Sequence, residues 1–353
     1  AIGAVSAGML DILRELGLAA GQAAGHSFGE YTALHAAGAF DVDTLVSLAF
    51  ARGDAIVRTG GADLGAMIAV SADAAAVREA VASVDGITLA NINAPDQTVI
   101  AGPTPAIERA AEALTSAGLS GTRLPVACGF HSECVAPARD LLAGALEAAP
   151  VGVPEITVMA NETAAPYPGD AAQVKAQLAR HLVSPVDFLG GIAAMHDRGA
   201  RLFIEVGPGS VLTRLADRIL GDAPHVAVST DVKSRGGVQQ FLTALAAASA
   251  AGLPLTLGKL FEQRADSGLD VVGWVVPARE TPKLMWKVDA ANARPVDGAP
   301  ARRGFAARIE EDPVAAPAAS APVVTAPQPA TVPAPISTAQ PAASPEAAAV
   351  LAR

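Results

Sequence analysis

The sequence predicts an α/β protein: a mainly parallel, hydrolase-like sheet body with an inserted ferredoxin-like βαββαβ subdomain. Three observations point there. Strand-like and helix-like apolar patterns alternate through residues 1–60 and 128–252, the order that builds a parallel sheet covered by helices. Residues 61–127 instead run strand, helix, strand, strand, helix, strand, which is the split βαβ order. Finally, Gly25-His26-Ser27-Phe28-Gly29 fits G-x-S-x-G and sits between an apparent strand and an apparent helix, the setting in which a sharp turn lifts a serine above a sheet.

Taken in order, Ile2, Val5, Met9, Leu13 and Leu16 recur at helical spacing, and Gly17 ends the pattern. Gln22 to Gly25 reads as a strand, and a helix resumes after the turn through Tyr31, Leu34 and His35 to Gly38. In the inserted unit, strands are expected at 67–70, 87–92, 98–101 and 122–126, with helices at 73–83 and 104–117. Asn93-Ala94-Pro95-Asp96 supplies turn chemistry between the middle strands. Beyond His131, strands are expected at 156–160, 202–206 and 225–229, and helices at 171–182, 188–197, 211–220 and 237–251. Residues 253–312 are expected to be a linker packed on the body through Trp274 and Trp286. Residues 313–353 are dominated by Ala, Pro, Ser, Thr and Val, and only Glu346 and Arg353 are charged. That composition predicts a disordered, extended linker, with at most a nascent helix after Pro345.

Composition narrows the function. With 25 Lys and Arg against 35 Asp and Glu and a net charge of −10, the chain lacks a phosphate-tracking surface, which argues against a nucleic-acid partner. Cys128 and Cys134 are its two cysteines, so disulfides are not the framework and a cytoplasmic setting is expected. The most apolar uncharged stretch, Phe241 to Gly258, is broken by Ser249, Gly252 and Pro254, so neither a transmembrane segment nor a membrane partner is expected. The sequence opens on Ala1 with no basic region and apolar run behind it, which reads as a piece of something longer.

The candidate chemistry starts at Ser27. A helix N-terminus directly after it offers backbone N–H groups to a developing oxyanion, whereas a chance Gly/Ser turn is the plain alternative. A serine nucleophile needs a base, and six histidines are available: 26, 35, 131, 181, 196 and 225. His26 adjoins the nucleophile, but the turn sends adjacent side chains in different directions, so it reads as a packing residue. His131 follows the last strand of the inserted unit, where the chain returns to the sheet's carboxyl edge, and is the candidate base. Cys128, His131 and Cys134 have no C-x-x-C spacing and no second pair elsewhere, so no metal site is expected. Gly207-Pro208-Gly209 lacks a following Lys-Ser or Lys-Thr and reads as a strand-to-helix turn.

Four ordered motifs then carry a family resemblance over residues 1 to about 250. They are Gly25-His-Ser-Phe-Gly-Glu-Tyr-Thr-Ala-Leu34 with Ala37-Gly38, the run from Asn91 to Gly102, Phe130-His131-Ser132, and Glu205-Val-Gly-Pro-Gly-Ser-Val-Leu212. Together they resemble the malonyl-CoA:acyl carrier protein transacylases. The Phe after the nucleophile, the Trp-bearing segment and the Ala/Pro tail look most like an acyltransferase domain of a multidomain iterative synthase, of the polyunsaturated fatty acid or enediyne polyketide type.

The resemblance implies a Ser27–His131 dyad acting without a metal or a permanently bound cofactor. Malonyl-CoA would be the substrate, and the phosphopantetheine thiol of an acyl carrier protein the acceptor. It implies that the main-chain carbonyl of His181 orients His131 and that Phe28 contributes one oxyanion N–H. Arg52, Phe130 and Asn93 are implied as substrate-binding residues, with Arg52 gripping the free carboxylate of the extender unit. A guanidinium's two parallel N–H donors suit that task; without the resemblance, an Arg capping a helix end or paired with Asp54 is the simpler reading. Phe130 before His131 resembles the malonyl-selective pattern. Family members also begin with a strand and a Gly-Gln-Gly-Xaa-Gln loop that are not found here, so an N-terminally truncated domain is expected, with ketosynthase and carrier domains as neighbours. A serine hydrolase using the same nucleophile, or an inactive linking fragment of a synthase, are the rival readings.

Overall fold

Six strands make the sheet that carries Ser27, and the chain reaches it through α1 (Ile2–Glu15), β1 (Gln22–Gly25), α2 (Gly29–Ala36) and α3 (Val42–Thr59). The computed structural model describes residues 1–59, 61, 63–262, 286–288, 293–295 and 348–352. Residues 1–260 with 341–353 form one unit and residues 261–340 a second.

In the first unit the inserted segment follows as β2 (Ala66–Val70), α4 (Ala74–Ala80), β3 (Thr88–Ala94), β4 (Gln97–Gly102), α5 (Thr104–Ser116) and β5 (Gly121–Arg123). Its sheet order β5-β2-β4-β3 and its antiparallel neighbours give the ferredoxin-like split that the sequence predicts. The chain then returns through α6 (Ala136–Ala148), β6 (Thr157–Ala160), β7 (Ala165–Pro166), α7 (Ala171–Arg180), β8 (Val186–Asp187), α8 (Phe188–Asp197), β9 (Leu202–Val206), α9 (Val211–Leu220), β10 (Val226–Ser229) and α10 (Gly237–Ala250). In the second unit, β11 (Trp286–Val288) and β12 (Ala293–Pro295) pair as an antiparallel ladder. The expected docking of the Trp274 and Trp286 side chains lies outside what is described. The last element, β13 (Ala348–Ala352), belongs to the first unit.

The large sheet runs β10-β9-β13-β1-β6-β7. All its pairs are parallel except the β6–β7 hairpin. Successive residues of β1 enter different cores. Ala23 packs with Tyr31, Leu34 and Leu142, and Ala24 with Phe188, Ile192 and Phe203. Burial on both faces is what a parallel sheet covered by helices requires.

Several expectations need correction. Residues 348–352, assigned to the disordered linker, form β13, which pairs from Ala348↔Leu202 to Ala352↔Val206 on one side and from Gln22↔Ala349 to Gly25↔Ala352 on the other. Ala-Ala-Val-Leu-Ala has no proline and no charge, so every backbone N–H is free to join the ladders, unlike the Pro-rich stretch before it. On α1, the inward stripe is Gly3, Ser6, Ala7, Leu10 and Leu13, while Ile2 and Val5 are exposed. Small residues win that face because it presses on the elbow: a Cβ on Gly3 would stand 3.0 Å from the Phe28 ring. Helices α3 and α6 have no counterpart in the sequence reading. α3 exposes Val42, Val46, Phe50 and Val57, which blurs its apolar period. The small sheet also gains β8, parallel to β3 through Asn91↔Val186 and Ile92↔Asp187. No described helix is long and apolar enough to cross a membrane.

Candidate active site

The turn after β1 is tight because of its first glycine. A Cβ on Gly25 would lie 1.9 Å from the Gly29 carbonyl carbon and 2.0 Å from its oxygen, and neither backbone atom has room to move. Gly25→Ala is therefore expected to prevent closure of the turn, at a cost of more than ~4 kcal/mol. In a scanning calorimeter the melting transition should fall by roughly 10 °C or more; a shift of a degree or two would contradict the close approach.

Ser27, at the apex, has φ 51°, a left-handed conformation that costs a side-chain-bearing residue about 1–3 kcal/mol. His131 has φ 59°, so both partners sit on strained backbone. They meet: Ser27 Oγ and His131 Nε2 are 2.7 Å apart. On the other side of the ring, Nδ1 lies 3.1 Å from the His181 carbonyl oxygen and 3.0 Å from that of Ser184. Carbonyl oxygens only accept, so Nδ1 carries the proton and the bare Nε2 faces the serine hydroxyl. That is the tautomer a base needs. Burial, followed by the charges of Arg52 and His26, pushes the His131 pKa down to about 3, so the ring is neutral at pH 7. The Ser184 carbonyl was not foreseen; it shares with His181 the turn after α7, where Ser184 N–H donates to the Arg180 carbonyl.

Phe28 opens α2. Its N–H precedes the helix and is not consumed by helical bonding, as for any first-turn donor. The Ser27 N–H is already taken by Asn161 Oδ1 at 2.8 Å. Arg52, on α3, is half-buried. Its guanidinium lies 6.0 Å from the centre of the Phe28 ring and 5.5 Å from that of Phe130. The buried Nε has no hydrogen-bond partner among the described residues, and burial pulls the group's pKa below its ordinary value. The expected alternative, pairing with Asp54, is not made; Asp54 pairs with Arg58. A cation set beside two rings with its buried Nε unpartnered is disposed to receive an anion.

The remaining expected residue, Asn93, does not join the dyad. Its Oδ1 lies 2.7 Å from His26 Nε2, and its Nδ2 donates to Gln97 Oε1 at 3.1 Å. His26 packs edge-on against Phe188, in keeping with a packing role. Among the described residues no group of three metal-ligating side chains occurs. Burial raises the Cys128 thiol to about 11, leaving it protonated at pH 7.

The sequence reading missed a buried polar cluster behind the elbow. Glu30 Oε2 accepts from the Asn161 N–H at 2.6 Å, and Glu30 Oε1 accepts from the Tyr167 hydroxyl. Asn161 Nδ2 donates to the Gly25 carbonyl at 2.6 Å. His181 Nε2 lies 3.3 Å from Asn161 Oδ1 and 3.9 Å from Glu30 Oε2. Burial raises the Glu30 carboxyl to about 7 against the opposing hydrogen bonds, and burial holds His181 below its ordinary range. The available signal was Asn161 itself, an amide placed directly after a strand that neighbours β1.

Comparison with known proteins agrees with this geometry. Residues 1–253 match the acyl transferase domain family. The chain belongs to that family. The acyltransferase is 35% identical over 225 residues to a malonyl CoA-acyl carrier protein transacylase of Haemophilus influenzae, covering 62% of this chain and 71% of that protein. It is 32% identical over 246 residues to a polyunsaturated fatty acid synthase polypeptide of a Thraustochytrium species, covering 66% of this chain and 8% of that polypeptide. Among solved structures it resembles the acyltransferase domain of an iterative polyketide synthase in enediyne biosynthesis, with a TM-score of 0.67 and 35% identity, covering 75% of this chain and 68% of that one. The acyltransferase thus spans most of a stand-alone relative and a small part of a synthase polypeptide.

Proposed function

We propose that the acyltransferase moves a malonyl group from malonyl-CoA, through an acyl-enzyme on Ser27, to the phosphopantetheine thiol of an acyl carrier protein in fatty acid or polyketide synthesis. The observation that carries this reading is the 2.7 Å Ser27–His131 contact, set beside a guanidinium held by Phe28 and Phe130.

His131 Nε2 takes the hydroxyl proton as Ser27 Oγ attacks the thioester carbonyl. The His181 and Ser184 carbonyls stabilise the imidazolium that forms, and the Phe28 N–H faces the oxyanion. Collapse of the tetrahedral intermediate breaks the carbon–sulfur bond, and His131 returns the proton to the departing thiolate of coenzyme A. In the second half, His131 takes the proton of the carrier's thiol, sulfur attacks the Ser27 ester, and the serine leaves with the proton restored. Arg52 pairs with the free carboxylate of the malonyl group, and the rings of Phe28 and Phe130 border that position. Asn93 borders the site from the inserted unit through His26. No permanently bound cofactor takes part. The setting is a cytoplasmic multidomain synthase with ketosynthase and carrier domains as neighbours.

The choice of acceptor is tested with radiolabelled malonyl-CoA in the presence and absence of a phosphopantetheinylated carrier. Label is expected to accumulate on the carrier, with free malonate as a minor product. Rapid carrier-independent release of malonate would make the chain a hydrolase instead.

A further inference from the structure

Taking Ser27 as the nucleophile, we propose that Asn161 is a positioning residue that clamps the entry to the elbow on both sides of His26, anchored by Glu30, which Tyr167 holds in turn. Its amide oxygen takes the Ser27 N–H at 2.8 Å and its amide nitrogen reaches the Gly25 carbonyl at 2.6 Å. One side chain thereby spans the two peptide units on either side of His26, the second of which leads into Ser27 and so helps to set the direction of Oγ. Its own N–H is tied at 2.6 Å to Glu30 on α2, and Tyr167, just beyond the β6–β7 hairpin, donates to the other oxygen of the same carboxyl. The end of β1, the elbow, α2 and the end of β6 are therefore closed into one polar knot. Glu30 is 1% exposed, Asn161 3% and Tyr167 7%, so water does not substitute for these bonds.

The knot also reaches the base. His181 Nε2 approaches the Asn161 oxygen at 3.3 Å, and the His181 carbonyl is one of the two acceptors that orient His131. Nucleophile and base are thus referred to a common support. The strain observed at Ser27 and His131 makes such a support necessary, because a left-handed residue persists only where its surroundings impose it. Because Asn161 occupies the Ser27 N–H, oxyanion stabilisation falls to the Phe28 N–H. Asn161 does not touch the acyl group and acts only through Ser27.

The test uses the full chain with four substitutions and two readouts. The first readout is single-turnover acylation by malonyl-CoA, expressed per folded molecule. A displacement of the order of 1 Å costs about 100-fold in rate, so Asn161→Ala and Glu30→Ala are expected to slow acylation by about that factor while KM stays within roughly threefold. Glu30→Gln is expected to rescue, because its carboxamide oxygen accepts from the Asn161 N–H and its amino group donates to the Tyr167 oxygen. Tyr167→Phe deletes a single oxygen and preserves the fold; a several-fold slowing is expected. The second readout needs no substrate: the nitrogen-15 resonance of His131 Nε2 reports whether the Ser27 hydroxyl is bonded to it. Loss of that signature in Asn161→Ala supports the proposal even if the wild-type chain accepts no malonyl group. Unchanged acylation per folded molecule in Asn161→Ala, or an unchanged Nε2 resonance, overturns it. So does a lowered melting temperature with both readouts intact.

Discussion

Ser27→Ala is expected to abolish labelling of the protein by radioactive malonyl-CoA and to lower transfer to the carrier by roughly 10³- to 10⁶-fold, the range seen when an activated nucleophile is deleted. The substitution is mild in every other respect. Alanine meets the same left-handed strain as serine at φ 51°, and the Ser27 N–H that Asn161 holds is a main-chain group. What disappears is the oxygen 2.7 Å from His131 Nε2. Arg52 and the two phenylalanine rings remain, so binding of malonyl-CoA by calorimetry should survive within a fewfold. Persistent labelling of the Ser27→Ala protein, traced by peptide mapping, would place the nucleophile elsewhere.

The strand–elbow–helix segment was legible in the sequence because its constraints are local. Two glycines, a serine and the change of period from strand to helix all fall within about fifteen residues, and the clash at Gly25 is the physical content of that pattern. The inserted unit was legible for the same reason: strands β2 to β5 alternate with helices whose apolar faces repeat, and their sheet order follows from the split βαβ rule. The pairing of Ser27 with His131, 104 positions apart, was reached by elimination among six histidines together with their place on the sheet edge. Glu30 lay in full view in the same motif, yet nothing in a sequence says that a carboxyl will be buried against Asn161 and Tyr167, more than 130 positions away. Polar networks of this kind are set by tertiary contacts alone. The closing strand β13 escaped for a different reason. A five-residue apolar run carries no period of its own, and composition averaged over a Pro-rich tail hides it. Asn93 shows the converse. It was named through family resemblance, and in the fold it engages His26 and Gln97, one step removed from the dyad.

Arg52→Ala is expected to lower kcat/KM for malonyl-CoA by roughly 100-fold, equivalent to about 3 kcal/mol, as befits loss of one partner from a shielded charge-assisted pair. The rate with acetyl-CoA, which has no carboxylate to place, should change little or rise. Arg52→Lys is expected to recover only part of the loss, because an ammonium lacks the planar fork that meets a carboxylate and stacks less well between the rings. A second consequence follows from the neighbouring base. The Arg52 cation is one of the causes, after burial, that hold His131 well below its ordinary pKa. Deleting that cation removes an obstacle to the imidazolium, so the His131 pKa rises. A base of raised pKa is lost to protonation earlier as pH falls, and the acid limb of the acylation profile should move to higher pH in Arg52→Ala. The bound malonyl carboxylate offsets the same charge, so a diacid in place strengthens the base that must accept the Ser27 proton, whereas an acetyl group leaves it weak. Discrimination would then appear in kcat as well as in KM, and steady-state measurements on both thioesters separate the two. An unchanged preference for malonyl over acetyl in Arg52→Ala would remove Arg52 from substrate recognition.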